Sequence, residues 1–329
     1  MFTFRFTFMK RVVACVLASA AIAFVFAVLP APAVGAETKP ILGVALPNLT
    51  NPYYVTMRKS FLENGEKNGF EVRVLIADND DLKQLSQVQS FVEQKVDFVA
   101  LNCTSSGPGV ASVLELNKAN IPVITVNLLP DPDMMKQQEA TMVHAVETDQ
   151  KMGGFYIGEQ LVKDLNGAEA YVGIIGEPTS VSANTRDDGF KEAVAKSPNI
   201  KVHPVVVNGK VEETTALKVT QELLIGNPNM NIIFSDTEPA AIGAAKAIEQ
   251  LGLQDKVKLY AFVDKVGVQM IIDGDLMVAG AIQEPDKLAQ IVVENAVKHL
   301  KGEKLDPRYM SPPLLVNEAN AKEVLPKAY

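Results

Sequence analysis

The chain has 329 residues, of which 47% are hydrophobic and 21% charged, with no Trp and a formal net charge of −8. Such content builds a packed core, excludes disordered, collagenous and disulfide-scaffold classes, and at this length suits two domains. The acidic balance offers no basic surface to neutralise phosphates, so nucleic acid is not an expected partner.

Residues 1–36 read as a secretory leader. Arg5, Lys10 and Arg11 give a basic start without an acidic residue, and the run 12–29 is uncharged and made of small and branched apolar residues. Val34-Gly35-Ala36 has the small-x-small form that a signal peptidase reads, so cleavage is expected after Ala36. An uncleaved anchor is the alternative, since the run is just long enough to span a bilayer. Against it, Pro30-Ala31-Pro32-Ala33 closes the run with no positive flank. Cys15 precedes the apolar run, the wrong place for lipidation. Cys103 then has no partner within the exported chain and reads as a small buried hydrophobe at a strand end.

From Ile41 onward, short apolar β-rich runs alternate with longer amphipathic stretches, the pattern of parallel sheets covered by helices. Strands are expected at 41–46, 72–77, 98–102, 123–126, 170–175, 202–207, 232–235, 259–263 and 277–282. The helices between them are expected at 54–68, 83–95, 152–165, 186–195, 213–225, 240–251 and 285–300. Four of these strands precede Thr148 and five follow, with no Pro/Ser-rich linker, so two sheets should meet along a cleft. Open α/β sheets take ligands beyond the carboxyl ends of their strands. Those ends read Pro47-Asn48, Asp78-Asn79, Asn102, Asn127, Gly176-Glu177, Asp236-Thr237, Asp264 and Gln283, polar almost throughout. The plainer account of each is that Asn and Asp cap helices and start turns.

Metal and nucleophile chemistry is poorly supplied. His144, His203 and His299 lie on separate elements, the last two reading as surface residues, and no HExxH, GxSxG, Walker or GxGxxG motif occurs. No cofactor and no metal is therefore expected. Ser105-Ser106-Gly107-Pro108-Gly109 is a turn that either cradles an anion on free amides or simply starts a helix. Asp149, Glu177, Asp236 and Asp264 leave an exported α/β enzyme as a minor alternative, although no nucleophile, base and orienter come together.

Four segments occur in a telling order: Asn51-Pro52-Tyr53-Tyr54, then Asn120-Ile121-Pro122-Val123-Ile124-Thr125, then Arg186-Asp187-Asp188-Gly189-Phe190, then Ile282-Gln283-Glu284-Pro285-Asp286. Behind a secretory leader, this set resembles the periplasmic substrate-binding proteins of the ribose/galactose class. The resemblance implies an α/β fold of two Rossmann-like lobes with parallel sheets, three hinge crossings and a ligand cleft between the lobes. It places the first lobe at 41–148 plus 284–311 and the second at 149–283 plus 312–329. It also implies a non-enzymatic, monomeric periplasmic protein that closes on a monosaccharide or polyol and delivers it to an ABC transporter permease in the inner membrane. A receptor presenting a signal molecule or attractant to a membrane sensor is the alternative. The DNA-binding repressors that share this fold carry a helix-turn-helix headpiece where this chain has its leader.

By the same resemblance Asn51 hydrogen-bonds the ligand, and Tyr53 and Tyr54 stack on the C–H face of a sugar ring. Arg186 offers a rigid donor fork, and Gln283 stands beside a hinge. Core packing at a helix start is the alternative for the tyrosines. For Arg186 it is a surface ion pair with Asp187 or Asp188. Arg186→Ala is expected to abolish most binding while leaving the apo melting temperature within about a degree or two. Three departures bear on the ligand. Where the class carries Asp-Arg, this chain has Asn127-Leu128, an amide and an alkyl group in place of an acceptor and a cation. This implies fewer ligand hydroxyl contacts on that side and a ligand other than ribose itself. Asp236 or Thr237 stands at an Asn-Asp-like step, and Ala261-Phe262-Val263-Asp264 brings the expected acid, Asp264, one residue late.

Overall fold

A computed structural model describes residues 39–329 except Thr179, Lys210 and Asp275. The leader, its cut after Ala36 and the reading of Cys15 lie outside the described residues.

Strand and helix alternate along the chain. The first run is β1 (Ile41–Leu46), α1 (Pro52–Lys67), β2 (Glu71–Ile76), α2 (Asp81–Glu93), β3 (Phe98–Leu101), α3 (Ser106–Lys118), β4 (Val123–Val126), α4 (Pro132–Gln137) and β5 (His144–Thr148). The second is α5 (Gln150–Leu165), β6 (Ala170–Gly176), α6 (Val181–Val194), β7 (Ile200–Asn208), α7 (Glu213–Gly226), β8 (Ile232–Ser235), α8 (Glu238–Gln250), β9 (Lys258–Phe262), α9 (Lys265–Asp273) and β10 (Met277–Ile282). Then follow α10 (Pro285–Leu300), β11 (Arg308–Ser311), β12 (Leu314–Asn317) and α11 (Ala321–Val324).

These strands form two six-stranded sheets, ordered β11-β5-β4-β3-β1-β2 and β12-β10-β9-β8-β6-β7. Pairing is parallel, as between Leu42 and Phe98, except where β12 runs antiparallel to β10. The chain passes from one sheet to the other three times: after Thr148, after Ile282 and after Ser311. The fold is thus α/β with two lobes, each built on its own largely parallel sheet.

Central strands of a parallel sheet are covered on both faces and so must be apolar throughout. β3 and β4 are buried at every position, whereas the edge strands β2 and β7 are partly exposed. On one face of the first sheet Met57, Phe61, Phe98 and Leu288 pack together; on the other, Phe91, Leu101, Val113 and Leu116. The second sheet buries Ile157, Leu161, Phe190 and Phe234 on one face and Ile233, Leu259 and Ile271 on the other. Each large side chain of this kind contributes about 1.5–3 kcal/mol by leaving water. α10 packs on α1, β4 and β5, and α5 packs on α6, β9 and β10, so each helix after a crossing covers the sheet just entered.

Three strands were not expected. β5 carries His144, whose Nδ1 meets the Asp306 carbonyl, and Glu147, so it does not read as an apolar run. β11 is largely exposed and β12 is short and half-buried. Helix α3 contains Gly107, Pro108 and Gly109 near its start, a poor propensity. It stands because Val110, Val113 and Leu116 are buried. At its entry Thr104 and Ser105 donate their hydroxyls to Asp81, so a carboxylate stands beside this turn. His299 is not a free surface residue: its ring lies half-buried, 5.7 Å from that of Phe98. Cys103 is fully buried, and desolvation lifts its thiol to about 12.

Candidate functional site

A cavity of about 730 Å³ opens at the carboxyl ends of the strands, lined by residues from both sheets within the unit Pro40–Tyr329. Its first-sheet side is built by a loop that satisfies itself. Asn48, just beyond β1, accepts through Oδ1 from the backbone of Thr50 (3.1 Å) and Asn51 (3.0 Å) and donates through Nδ2 to Asn79 (2.8 Å). Asn51 then caps α1 by accepting from Tyr53 N at 2.9 Å, with Pro52 pre-set for the first turn. Fixed so, Tyr53 is 4% exposed and donates its hydroxyl to Asn127 Oδ1 at 3.0 Å. Asn127 holds φ at +61°, a left-handed value that Asn tolerates. Tyr54 stands edge-on to Tyr53 with ring centroids 5.3 Å apart, and burial pushes its phenol up to about 12. Both rings therefore stay neutral hydrogen-bonding groups at ordinary pH.

The second-sheet side depends on a close helix pair. A Cβ at Gly154 of α5 would stand 1.9 Å from the Arg186 carbonyl oxygen, and one at Gly189 of α6 would stand 2.0 Å from that of Lys151. Only glycine permits this approach, and the approach is what buries Arg186. Its Nε donates to Gln150 Oε1 and its Nη1 to the Asp236 carbonyl, each at 2.7 Å. The guanidinium sits 4.1 Å over the Phe262 ring, a cation–π contact. Among the described residues Nε and Nη1 have the partners just named and Nη2 has none, and Arg186 lines the cavity. Gln150, at the first crossing, also donates to Gln283 Oε1 at the second, 3.0 Å away.

Three carboxyl groups stand on this side, and two of them, Asp236 and Asp264, act electrostatically on the Arg186 cation. Asp236 is fully buried; Oδ2 accepts from Glu177 N at 3.0 Å and Oδ1 has no partner. Burial raises it to about 6. Glu238 accepts from Gly267 N at 2.7 Å and from Asp264 N, thereby capping α9, and burial with the Asp264 charge raises it to about 7. Asp264 itself is raised by burial to about 6, held back by the neighbouring Tyr329 hydroxyl and by Arg186.

Of the residues singled out by sequence, Asn51, Tyr53, Tyr54, Asn127, Arg186, Thr237, Asp264 and Gln283 line this one cavity. Asp236 does not: it lies behind Arg186 and meets it through its backbone. The surface ion pair considered for Arg186 is absent, because the side chain is buried and its acceptors are uncharged oxygens. Core packing and cavity lining are both true of Tyr53. Sequence reasoning passed over Gln150, Phe262, Glu238 and Tyr329 as lining residues. Gln150 and Glu238 each stand next to a residue it named; for Tyr329 the chain carries no signal.

A family model described as a periplasmic binding protein domain matches residues 42–304. The chain belongs to that family. Among curated members, the ribose import binding protein of Escherichia coli (strain K12) is 27% identical over 276 residues, 83% of this chain and 89% of that protein. The D-ribose/D-allose-binding protein of Pseudomonas aeruginosa is 26% identical over 301 residues, 89% and 92% of the two chains. Among solved structures, an ABC transporter periplasmic solute binding protein from Actinobacillus succinogenes 130z, with bound D-allose, superposes with a TM-score of 0.79 at 25% identity, covering 87% of this chain and 100% of that one. Within this periplasmic binding protein domain, the cavity between the two sheets is where rings, amides and the guanidinium converge.

Proposed function

We propose that this chain is the solute-binding protein of an ABC importer, taking up a small neutral polyhydroxylated ligand, a monosaccharide or polyol, by closure of two lobes. One observation carries the reading: a single cavity brings aromatic rings and amides from one sheet against a buried guanidinium and carboxyl groups from the other. Rings suit the C–H face of a sugar, and amides with a donor fork suit its hydroxyls. A charged ligand would meet a like charge on the second side, where Arg186 and Asp264 both line the cavity. The lobes are 41–148 plus 284–311 and 149–283 plus 312–329, moving about the three crossings. The protein works as a monomer in the periplasm after its leader is cut, hands its ligand to an inner-membrane permease, and catalyses no reaction. The imported sugar names of the relatives support the ligand class. Asn127-Leu128, which replace the class's Asp-Arg, speak against ribose as the preferred ligand.

Calorimetry and thermal melts with D-allose, D-ribose, myo-inositol and glycerol test this. The expected result is a micromolar or tighter Kd for at least one of them, weaker for D-ribose, with a melting temperature raised by about 5 °C at a hundredfold excess over Kd. No shift with any pentose, hexose, inositol or linear polyol overturns it.

A further inference from the structure

Tyr329 stands apart from the other lining residues. Beyond α11, a short 3₁₀ turn, Leu325–Lys327, leads to it, and its ring reaches the cavity. There it packs edge-on against Tyr53, centroids 5.3 Å apart and planes at 82°. Its phenol lies within electrostatic reach of the Asp264 carboxyl, and its main-chain oxygen accepts from Lys265 N at 3.3 Å. Tyr53 belongs to the first sheet's core and Asp264 precedes α9 on the second, and Tyr329 packs against the hydrophobic clusters of both sheets. One ring thus joins the two sides of the cleft while remaining part of its surface.

We propose that Tyr329 is a ligand-contacting specificity residue: its ring closes the cavity between Tyr53 and Asp264, and its hydroxyl holds the Asp264 carboxyl where a ligand hydroxyl would meet it. This rests on the sugar- or polyol-binding reading of the cavity. A ring that only plugged a core would be enclosed by one cluster; this one is half-buried, touches two, and borders open volume. A phenol suits both neighbours, since its edge and face match Tyr53 and its O–H matches a carboxylate. Burial keeps that phenol protonated and therefore a donor. Removing the ring enlarges the cavity at this end, so tolerance of bulkier ligands should follow.

The test uses the exported protein and its Tyr329→Phe and Tyr329→Ala variants, titrated calorimetrically with D-allose, D-ribose, myo-inositol and the disaccharide sucrose, alongside apo melts. Tyr329→Phe keeps the wall and loses the grip on Asp264. It is expected to bind the best wild-type probe about tenfold more weakly, with the order of probes kept and the apo melting temperature within about a degree. Tyr329→Ala is expected to lose about thirtyfold on that probe and to narrow or reverse its preference over sucrose. If Tyr329→Ala does not fold, Tyr329→Leu takes its place. An unchanged order of probes and unchanged affinities in both variants overturn the inference and leave the binding reading standing. So does a loss of affinity equal for every probe and matched by a fall in apo stability. A wild-type protein that binds none of the probes overturns the binding reading, and this inference with it.

Discussion

The two sides of the cleft present polar groups in different ways. Among the described lining residues, those from the first sheet are uncharged: Thr50, Asn51, Tyr53, Tyr54, Asn79, Asn127 and Leu128. The charged ones, Glu177, Arg186, Glu238 and Asp264, come from the second. Amides and phenols lose little when removed from water if they bond one another, as Asn48 does with Asn79 and Tyr53 with Asn127. Charges need more. Arg186 has two acceptors and an aromatic face, yet Asp236, Glu238 and Asp264 all have raised pKa values. A neutral wall can be assembled locally by one loop, whereas a charged wall must be assembled by several elements at once. Substitutions on the two sides should therefore differ in what they damage.

The largest effect is expected from Arg186→Ala. It leaves Gln150 Oε1 and the buried Asp236 carbonyl without their donor and removes the cation on which Asp236 and Asp264 act. Losing buried, charge-assisted bonds of this kind lowers stability by about 3 kcal/mol, or about 5–10 °C in an apo melt. Ligand affinity should fall by about a hundredfold or more over the same substitution. The expectation that most binding is lost while the apo melting temperature stays within a degree or two is thus corrected, because the side chain is buried and bonded: binding and stability should be lost together. An apo melting temperature within a degree of wild type would show that the guanidinium is not enclosed.

A smaller effect comes from pH. Asp187, 2% exposed and outside the cavity lining, is raised to about 7 by burial and then by Asp236, and its Oδ1 has no partner. It joins Asp236 at about 6, Glu238 at about 7 and Asp264 at about 6. All four shifts are upward, so between the ordinary carboxyl pKa near 4 and these values the folded protein holds more protons than the unfolded chain. Stability is then highest on the acid side of that window and declines as pH climbs through 6 and 7. Scanning calorimetry should find the apo protein melting higher at pH 5 than at pH 8. Asp187→Asn should flatten that slope; one unit of its shift is worth about 1.4 kcal/mol, so a gain of about 1 kcal/mol is expected at pH 8. A melting temperature that climbs with pH over this range would remove the strain assigned to the second side.

How much of this could be read from residues alone also divides along the cleft. β1, β4, β8 and β10 match their expected bounds because a strand buried on both faces is an unbroken apolar run. Asn51, Tyr53 and Tyr54 could be placed because the capping residue, the proline and the first turn are neighbours in the chain. The burial of Arg186 could not. It depends on Gly154 and Gly189, on separate helices, and an isolated glycine inside a helical stretch does not announce the backbone it approaches. Asp236 was placed at the right strand end, but a strand end does not tell which of two adjacent residues, Asp236 or Thr237, reaches the cavity. Tyr329 lies beyond the expected strands and helices, and only the assembled fold brings it beside Tyr53.

The smallest effect probes the neutral side. Tyr53→Phe removes a single uncharged hydrogen bond, the one to Asn127 Oδ1, and leaves the ring against Tyr54 and Tyr329. Such a bond contributes about 1 kcal/mol, so ligand affinity should fall about fivefold. Asn127 is only half-buried, and water can reach the acceptor that the hydroxyl leaves, so the apo melting temperature should move by no more than about 2 °C. Measured beside Arg186→Ala by calorimetry and thermal melts, the two losses should differ by more than tenfold in affinity and several degrees in stability. Equal losses would mean that the hydroxyl of Tyr53 and the guanidinium of Arg186 belong to one cooperative network across the cleft, and the contrast between a locally assembled wall and a jointly assembled one would fail.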